Sequence, residues 1–215
     1  MIKELNRKVN IKTEIYGELI NGQGLGYVSK MRYGLFSMSY NGCEMIAIYN
    51  LMLLEGLKGH TLTDICYKMY DTSCVFCGLL GSNVYVLDRY FLRLGMPVDK
   101  IFDRDGFFKR LNNGRYGIIS FWNTNSPFDG VHTVCIERTE DGYRIYNRSN
   151  SKSTPAEYKT TDEVVSKHRF IVGYCLYTPN RKKQFEKTKI VNSQSKFHSW
   201  THAEFRVKNE AKKAK

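Results

Sequence analysis

One stretch of the chain, residues 43–56, constrains the fold more than any other. It reads CEMIAIYNLMLLEG, it holds good helix formers over about four turns, and it ends at a glycine that suits a helix C-terminus. Its apolar residues occupy nearly every face rather than one stripe. A helix of this kind has to be surrounded by other elements, so the sequence predicts a buried central helix that begins at Cys43.

The elements predicted around this helix change type along the chain. Residues 1–26 are polar and glycine-rich toward their end, which predicts short strands or loops. Further helices are predicted from about residue 63, over 83–94 and around 105–111, and β-rich segments follow at 116–122, 132–137, 143–147 and 170–176. The turn signal Glu-Asp-Gly at 140–142 makes a hairpin of two of these segments. Helices first and an antiparallel sheet second predict an α+β domain.

Composition and hydrophobic patterning limit the number of domains and the expected cellular location. The chain has 215 residues, of which 42% are hydrophobic, enough for one core and too few for two large domains. The N-terminus lacks an apolar secretory segment, and the most apolar run, residues 45–54, is about half the length of a transmembrane helix. We therefore expect a soluble, cytoplasmic protein without a transmembrane segment, and its six cysteines are expected to be reduced.

Positive charge is concentrated at the C-terminus. The net charge is +12, and residues 181–215 contribute +8 of it through eleven basic and three acidic side chains. We therefore predict a domain at residues 1–180 followed by a basic C-terminal extension at 181–215. Its charge suits an acidic protein, a nucleic acid or an anionic membrane surface. A solvated or surface-docked extension is the simpler interpretation.

Cys43 has the position that a thiol nucleophile requires. A thiolate is favoured at a helix N-terminus, and it needs a base and a group that holds the base. His132 begins a predicted strand, and Asn147 ends the strand that pairs with it, so the hairpin brings these two together. Singly each residue type is usually inert, but the conjunction predicts Cys43 as nucleophile, His132 as base and Asn147 as orienting residue. No cofactor or metal is implied.

A family resemblance rests on the same segments. Residues 41–50, NGCEMIAIYN, resemble the nucleophile helix of papain-like cysteine peptidases, and are most similar to the bacteriocin leader-processing peptidases and their bacterial relatives. GVHTVCIE at 130–137 resembles that group's histidine strand, and YRIYN at 143–147 resembles its third-residue strand. The resemblance covers about residues 27–150.

The resemblance implies a papain-like fold at residues 1–180, in which an N-terminal helical half carries the buried nucleophile helix and packs on a C-terminal antiparallel sheet. It also implies that a Cys–His–Asn triad hydrolyses a peptide or amide bond of a peptide or protein substrate. The same residues would serve an acyltransferase or a deamidase.

One position departs from the family pattern. The family places a glutamine six residues before the nucleophile, where its amide helps to stabilise the oxyanion, and this chain has Ser37 there. The Asn41 amide or a backbone N–H is the available substitute. Losing an oxyanion donor costs about two to three orders of magnitude in rate. A catalytically weak or inactive binding protein on the same scaffold is therefore the alternative.

Two further cysteines, Cys74 and Cys77, form a CxxC pair. A zinc site would need a second pair of ligands at matching spacing, and the sequence shows none. Two independent thiols are favoured over a metal or redox site.

Overall fold

The computed structural model describes residues 1–126 and 129–176. All of these lie in one compact unit, Met1–Tyr177. The unit contains helices and an antiparallel sheet, which confirms the predicted α+β class. The predicted basic extension, residues 181–215, lies outside the described residues.

Helices dominate the first half of the unit. The helices are α1 (Ile2–Asn10), α2 (Met38–Asn41), α3 (Cys43–Leu54), α4 (Leu62–Ser73), α5 (Asp88–Arg93), α6 (Arg104–Asn113) and α7 (Thr161–Val164). Helix α3 matches the predicted central helix, and ten of its twelve residues are buried. The region predicted as one helix at 83–94 is instead a short 3-10 turn, Val84–Val86, followed by α5.

Two sheets complete the unit. Strands β1 (Arg32–Tyr33) and β2 (Phe36–Ser37) form a small hairpin. The main sheet has six strands in the order β3-β8-β4-β5-β6-β7. These strands are β3 (Val98–Ile101), β4 (Tyr116–Trp122), β5 (Val131–Arg138), β6 (Tyr143–Tyr146), β7 (Ala156–Tyr158) and β8 (Phe170–Leu176). Every pairing in this sheet is antiparallel.

The main sheet has a hydrophobic cluster on each face. Alternate residues of the central strand β4 divide between the clusters, with Ile118 on the side of α3 and Ile119 on the side of α6. The strands are therefore apolar on both faces, which explains why β4 reads as a nearly continuous hydrophobic run. Helix α3 packs directly against β5 and β4. This contact positions the start of α3 next to the start of β5.

The N-terminal segment differs from its prediction. Residues 1–26 were expected to form loops or short strands, and residues 2–10 form helix α1. The inward side of α1 carries Asn6 and Asn10 rather than apolar residues. Their amides bond the β1–β2 hairpin, with Asn6 donating to the Gly34 carbonyl at 2.7 Å. The helix was missed because hydrogen bonds, not an apolar stripe, attach it to the domain.

In the part of the chain that the structure describes, no helix combines the length and the apolar character needed to cross a bilayer.

Candidate active site

Cys43 is the first residue of α3, as the sequence predicts. The preceding residue, Gly42, has φ −93° and ψ −4°, so it joins α2 to α3 without a left-handed turn. A Cβ at this position would lie 2.5 Å from the Met38 carbonyl oxygen. Glycine is therefore required here by close packing and not by an unusual backbone conformation.

A cleft of about 530 Å³ opens beside Cys43. Its walls come from the start of α3, from the loop after α4 and from the ends of β4 and β5. The lining residues are Tyr40, Asn41, Cys43, Glu44, Leu79, Leu80, Gly81, Ser82, Trp122, Asn123, Asp129, Gly130 and Val131. Apolar and hydrogen-bonding groups are mixed, and none of these lining residues is a lysine or an arginine.

The thiol of Cys43 is hydrogen-bonded to the neighbouring carboxyl group. Its Sγ donates to Oε2 of Glu44 at 3.2 Å, and both residues are buried. Burial raises the pKa of the Cys43 thiol well above its ordinary value, and Glu44 in its ionised form raises it further. The backbone N–H of Thr133 on β5 acts against these two effects. The resting thiol is therefore neutral.

The His132 imidazole has two defined neighbours. Its Nε2 lies 2.8 Å from the main-chain oxygen of Asn147, and its ring packs edge-on against Phe121, its cross-strand partner. A carbonyl oxygen only accepts hydrogen bonds, so Nε2 carries the hydrogen and Nδ1 is the basic nitrogen of the neutral ring. Burial lowers the pKa of His132 to about 4, although the hydrogen bond to the Asn147 carbonyl acts to raise it. The imidazole is thus an uncharged base at neutral pH.

The side chain of Asn147 is engaged elsewhere. Its Nδ2 donates to Oε1 of Gln23 at 2.8 Å, and its Oδ1 accepts from the Gln23 main-chain N–H at 3.0 Å. Gln23 also donates to the carbonyl of Ser39, four residues before the nucleophile, at 3.0 Å. Asn147 has φ 61°, a left-handed conformation that asparagine tolerates better than most residues. This backbone geometry is what directs its carbonyl at His132.

The structure brings two of the three predicted residues into contact, because His132 is bonded to Asn147, whereas Cys43 lines a cleft whose lining residues include neither of them. His132 contacts Asn147 through the main-chain carbonyl and not through the expected side-chain amide. The thiol of Cys43 bonds Glu44, and it reaches β5 at Thr133, one residue beyond His132. Phe121, the partner of His132, belongs to the hydrophobic cluster on the α6 side of the sheet. No thiol–imidazole hydrogen bond forms among the described residues.

Asn41 lines the cleft in an orientation that does not suit an oxyanion donor. Its Nδ2 donates to the carbonyls of Gly78 and Tyr33, at 2.8 and 3.4 Å. Both partners are acceptors, so the nitrogen must face them, and the buried Oδ1 has no hydrogen-bond partner. The amide N–H proposed from the sequence is therefore occupied. Ser37 lies outside the cleft lining, and its hydroxyl bonds Ser39.

Two residues of the site were not predicted. Glu44 is the charged residue of a largely apolar helix, and that contrast was a signal available in the sequence. Gln23 had no such signal, because its link to Asn147 spans 124 residues. Both are at most 5% exposed, so their polar groups act in a site that largely excludes water.

One cysteine of the CxxC pair, Cys74, forms an isolated β-bridge with Ser82, which lines the cleft. Cys74 is partly buried and Cys77 is exposed, and no disulfide is formed by either. Across residues 1–126 and 129–176, no group of three or more histidine, cysteine, aspartate or glutamate side chains is arranged to hold a metal ion.

No protein-family model matches this chain, and no curated protein matches it.

Proposed function

We propose that the chain is a papain-like thiol hydrolase that cleaves a peptide or amide bond, with Cys43 as its nucleophile. The observation that carries the proposal is the position of Cys43, at the first residue of a buried helix and in the wall of a 530 Å³ cleft. The order of a cysteine helix, a histidine strand and a paired strand ending in Asn147 supports the papain-like assignment.

His132 serves as the base in this proposal. The imidazole is neutral, Nε2 is held by the Asn147 carbonyl, and Nδ1 is the nitrogen that accepts a proton. Turnover requires a rearrangement in which the His132 ring leaves its contact with Phe121 and its Nδ1 replaces Glu44 as the hydrogen-bond partner of the Cys43 thiol. Attack on the carbonyl carbon then forms a thioester and expels the amine, which takes the proton from His132. Water hydrolyses the thioester.

The experiment is turnover of a peptide and amide substrate library by the wild-type protein and by Cys43→Ala. Cleavage that is lost in Cys43→Ala and reduced by about 10²-fold or more in His132→Ala supports the assignment. The matched control is Cys135→Ala, which removes another buried thiol of the same domain and is expected to leave cleavage intact. Cleavage that survives in Cys43→Ala would refute the proposal.

A second candidate, a binding protein on the same scaffold, is favoured by one observation. The raised pKa of Cys43 and its bond to Glu44 hold the thiol in its unreactive form. This candidate predicts that the cleft binds peptides equally well in the wild-type protein and in Cys43→Ala, with no product released from either. Product formation by the wild-type protein alone would exclude it.

A further inference from the structure

Acyl transfer to a thiol needs a hydrogen-bond donor that the predicted residues do not provide. Attack places negative charge on the carbonyl oxygen, and donors aimed at that oxygen are worth about two to three orders of magnitude in rate. Ser37 does not line the cleft, and the Asn41 amide nitrogen is committed to two carbonyls. Beside a backbone N–H, a donor to this oxygen therefore has to come from another side chain of the cleft.

Glu44 has the required location. It is the second residue of α3, is 4% exposed, and lines the same cleft as Cys43. Its Oε2 lies 3.2 Å from the Cys43 sulfur. When the sulfur bonds to a carbonyl carbon, the oxygen on that carbon is two bonds from the sulfur, so a substrate orientation exists that places it within hydrogen-bonding range of the Glu44 carboxyl group. None of the ion pairs among the described residues includes Glu44, so no cation holds it in the charged form.

We propose that Glu44, as a neutral carboxylic acid, donates its hydroxyl hydrogen to the oxyanion formed when Cys43 attacks a carbonyl. The inference rests on the proposed function and supplies the donor that it lacks. The sulfur–carbon bond forms while the carbonyl π pair moves onto oxygen, and the thiol proton passes to Nδ1 of His132. The oxyanion then collapses, the leaving group departs with the proton from His132, and Glu44 keeps its own proton throughout.

The surroundings of Glu44 favour the neutral acid. Burial raises the pKa of Glu44 to about 7, and its bond to Cys43 acts in the opposite direction. The titratable groups that interact with it from other elements are Tyr33 of β1 and Cys74 after α4, and neither is a cation. Asp129, on the β5 side of the cleft, is acidic as well. Because the neutral acid dominates below about pH 7, the donor is lost as the pH rises through that value.

The test compares two reactions of the same thiol. Acetylation of Cys43 by 4-nitrophenyl acetate passes through an oxyanion, whereas alkylation by iodoacetamide does not. Both rates depend on the ionisation of the thiol, so the rate of acetylation divided by the rate of alkylation is insensitive to it. This ratio therefore reports the contribution of the oxyanion donor. Glu44→Ala should lower this ratio by about 10²-fold or more, while Glu44→Gln, which keeps an N–H donor, should stay within about tenfold of the wild-type ratio.

The pH profile of the wild-type protein gives a readout that needs no variant, and Glu44→Gln serves as its control. In the wild-type protein the ratio should fall as the pH rises through about 7, and in Glu44→Gln it should not. The inference about Glu44 would be overturned by an unchanged ratio of acetylation to alkylation in Glu44→Ala, or by a wild-type ratio that does not vary with pH. The proposed function would survive either result, provided that acetylation of Cys43 still depends on His132. If wild-type Cys43 is alkylated but never acetylated, the inference and the proposed function both fail.

Discussion

The Cys43 thiol and the His132 imidazole are both neutral in this structure. Burial raises the pKa of the thiol and lowers the pKa of the imidazole, so a preformed thiolate–imidazolium pair is disfavoured from both sides. In the proposed reaction, the proton would therefore move during attack rather than before it. The sequence predicts a catalytic role for both residues, but the ionisation of each depends on burial, and that of Cys43 also on Glu44, which only the folded chain defines.

At Asn147 the main-chain carbonyl and the side-chain amide bond different partners. Asn147→Gly keeps the carbonyl that holds His132 and permits φ 61°, but it removes both side-chain bonds to Gln23. We expect a loss of about 1–3 kcal/mol in the free energy of unfolding, measured by urea denaturation. The acetylation rate of Cys43 should change by less than about tenfold, because the base stays oriented. A large fall in that rate with unchanged stability would assign the orienting role to the side-chain amide.

At the scale of elements, the hydrophobic pattern of the sequence predicted the helix and strands that form because their apolar residues are buried. Helix α3 and strands β4, β5 and β8 were predicted because their apolar residues have the length and spacing of buried elements. Helix α1 was missed because asparagines attach it. The link between Gln23 and Asn147 was not predictable either, since it joins a loop to a strand end that only the fold brings together.

The attachment of α1 gives a prediction about stability. Asn10 donates to the Arg32 carbonyl at 2.9 Å and accepts from the Arg32 N–H at 2.7 Å. Asn10→Ala leaves these main-chain groups without their partner, so we expect a loss of about 1–3 kcal/mol in the free energy of unfolding. Lys8→Ala, on the exposed side of the same helix, should stay within about 0.5 kcal/mol. Equal effects of the two substitutions in urea denaturation would contradict this account of α1.

At the scale of the whole molecule, charge is divided unevenly. Residues 181–215 carry eleven basic side chains, and the whole chain has a net charge of +12. We propose that this extension binds an anionic partner, independently of the cleft. A variant with these eleven side chains replaced by glutamine should lose affinity for a single-stranded DNA probe, and wild-type affinity should fall steeply with salt. Binding that is insensitive to salt, or equal in the two proteins, would exclude the proposal.

The most direct test of the central claim is to locate the acetyl group after limited reaction with 4-nitrophenyl acetate at pH 7. Peptide mass spectrometry compares Cys43, which is buried, with Cys77, which is exposed. Exposure alone favours Cys77, so preferential reaction at Cys43 requires a functional site. The account predicts that Cys43 is acetylated first and that His132→Ala slows this reaction by about 10²-fold or more. Acetylation of Cys77 first, with Cys43 indifferent to His132, would contradict it.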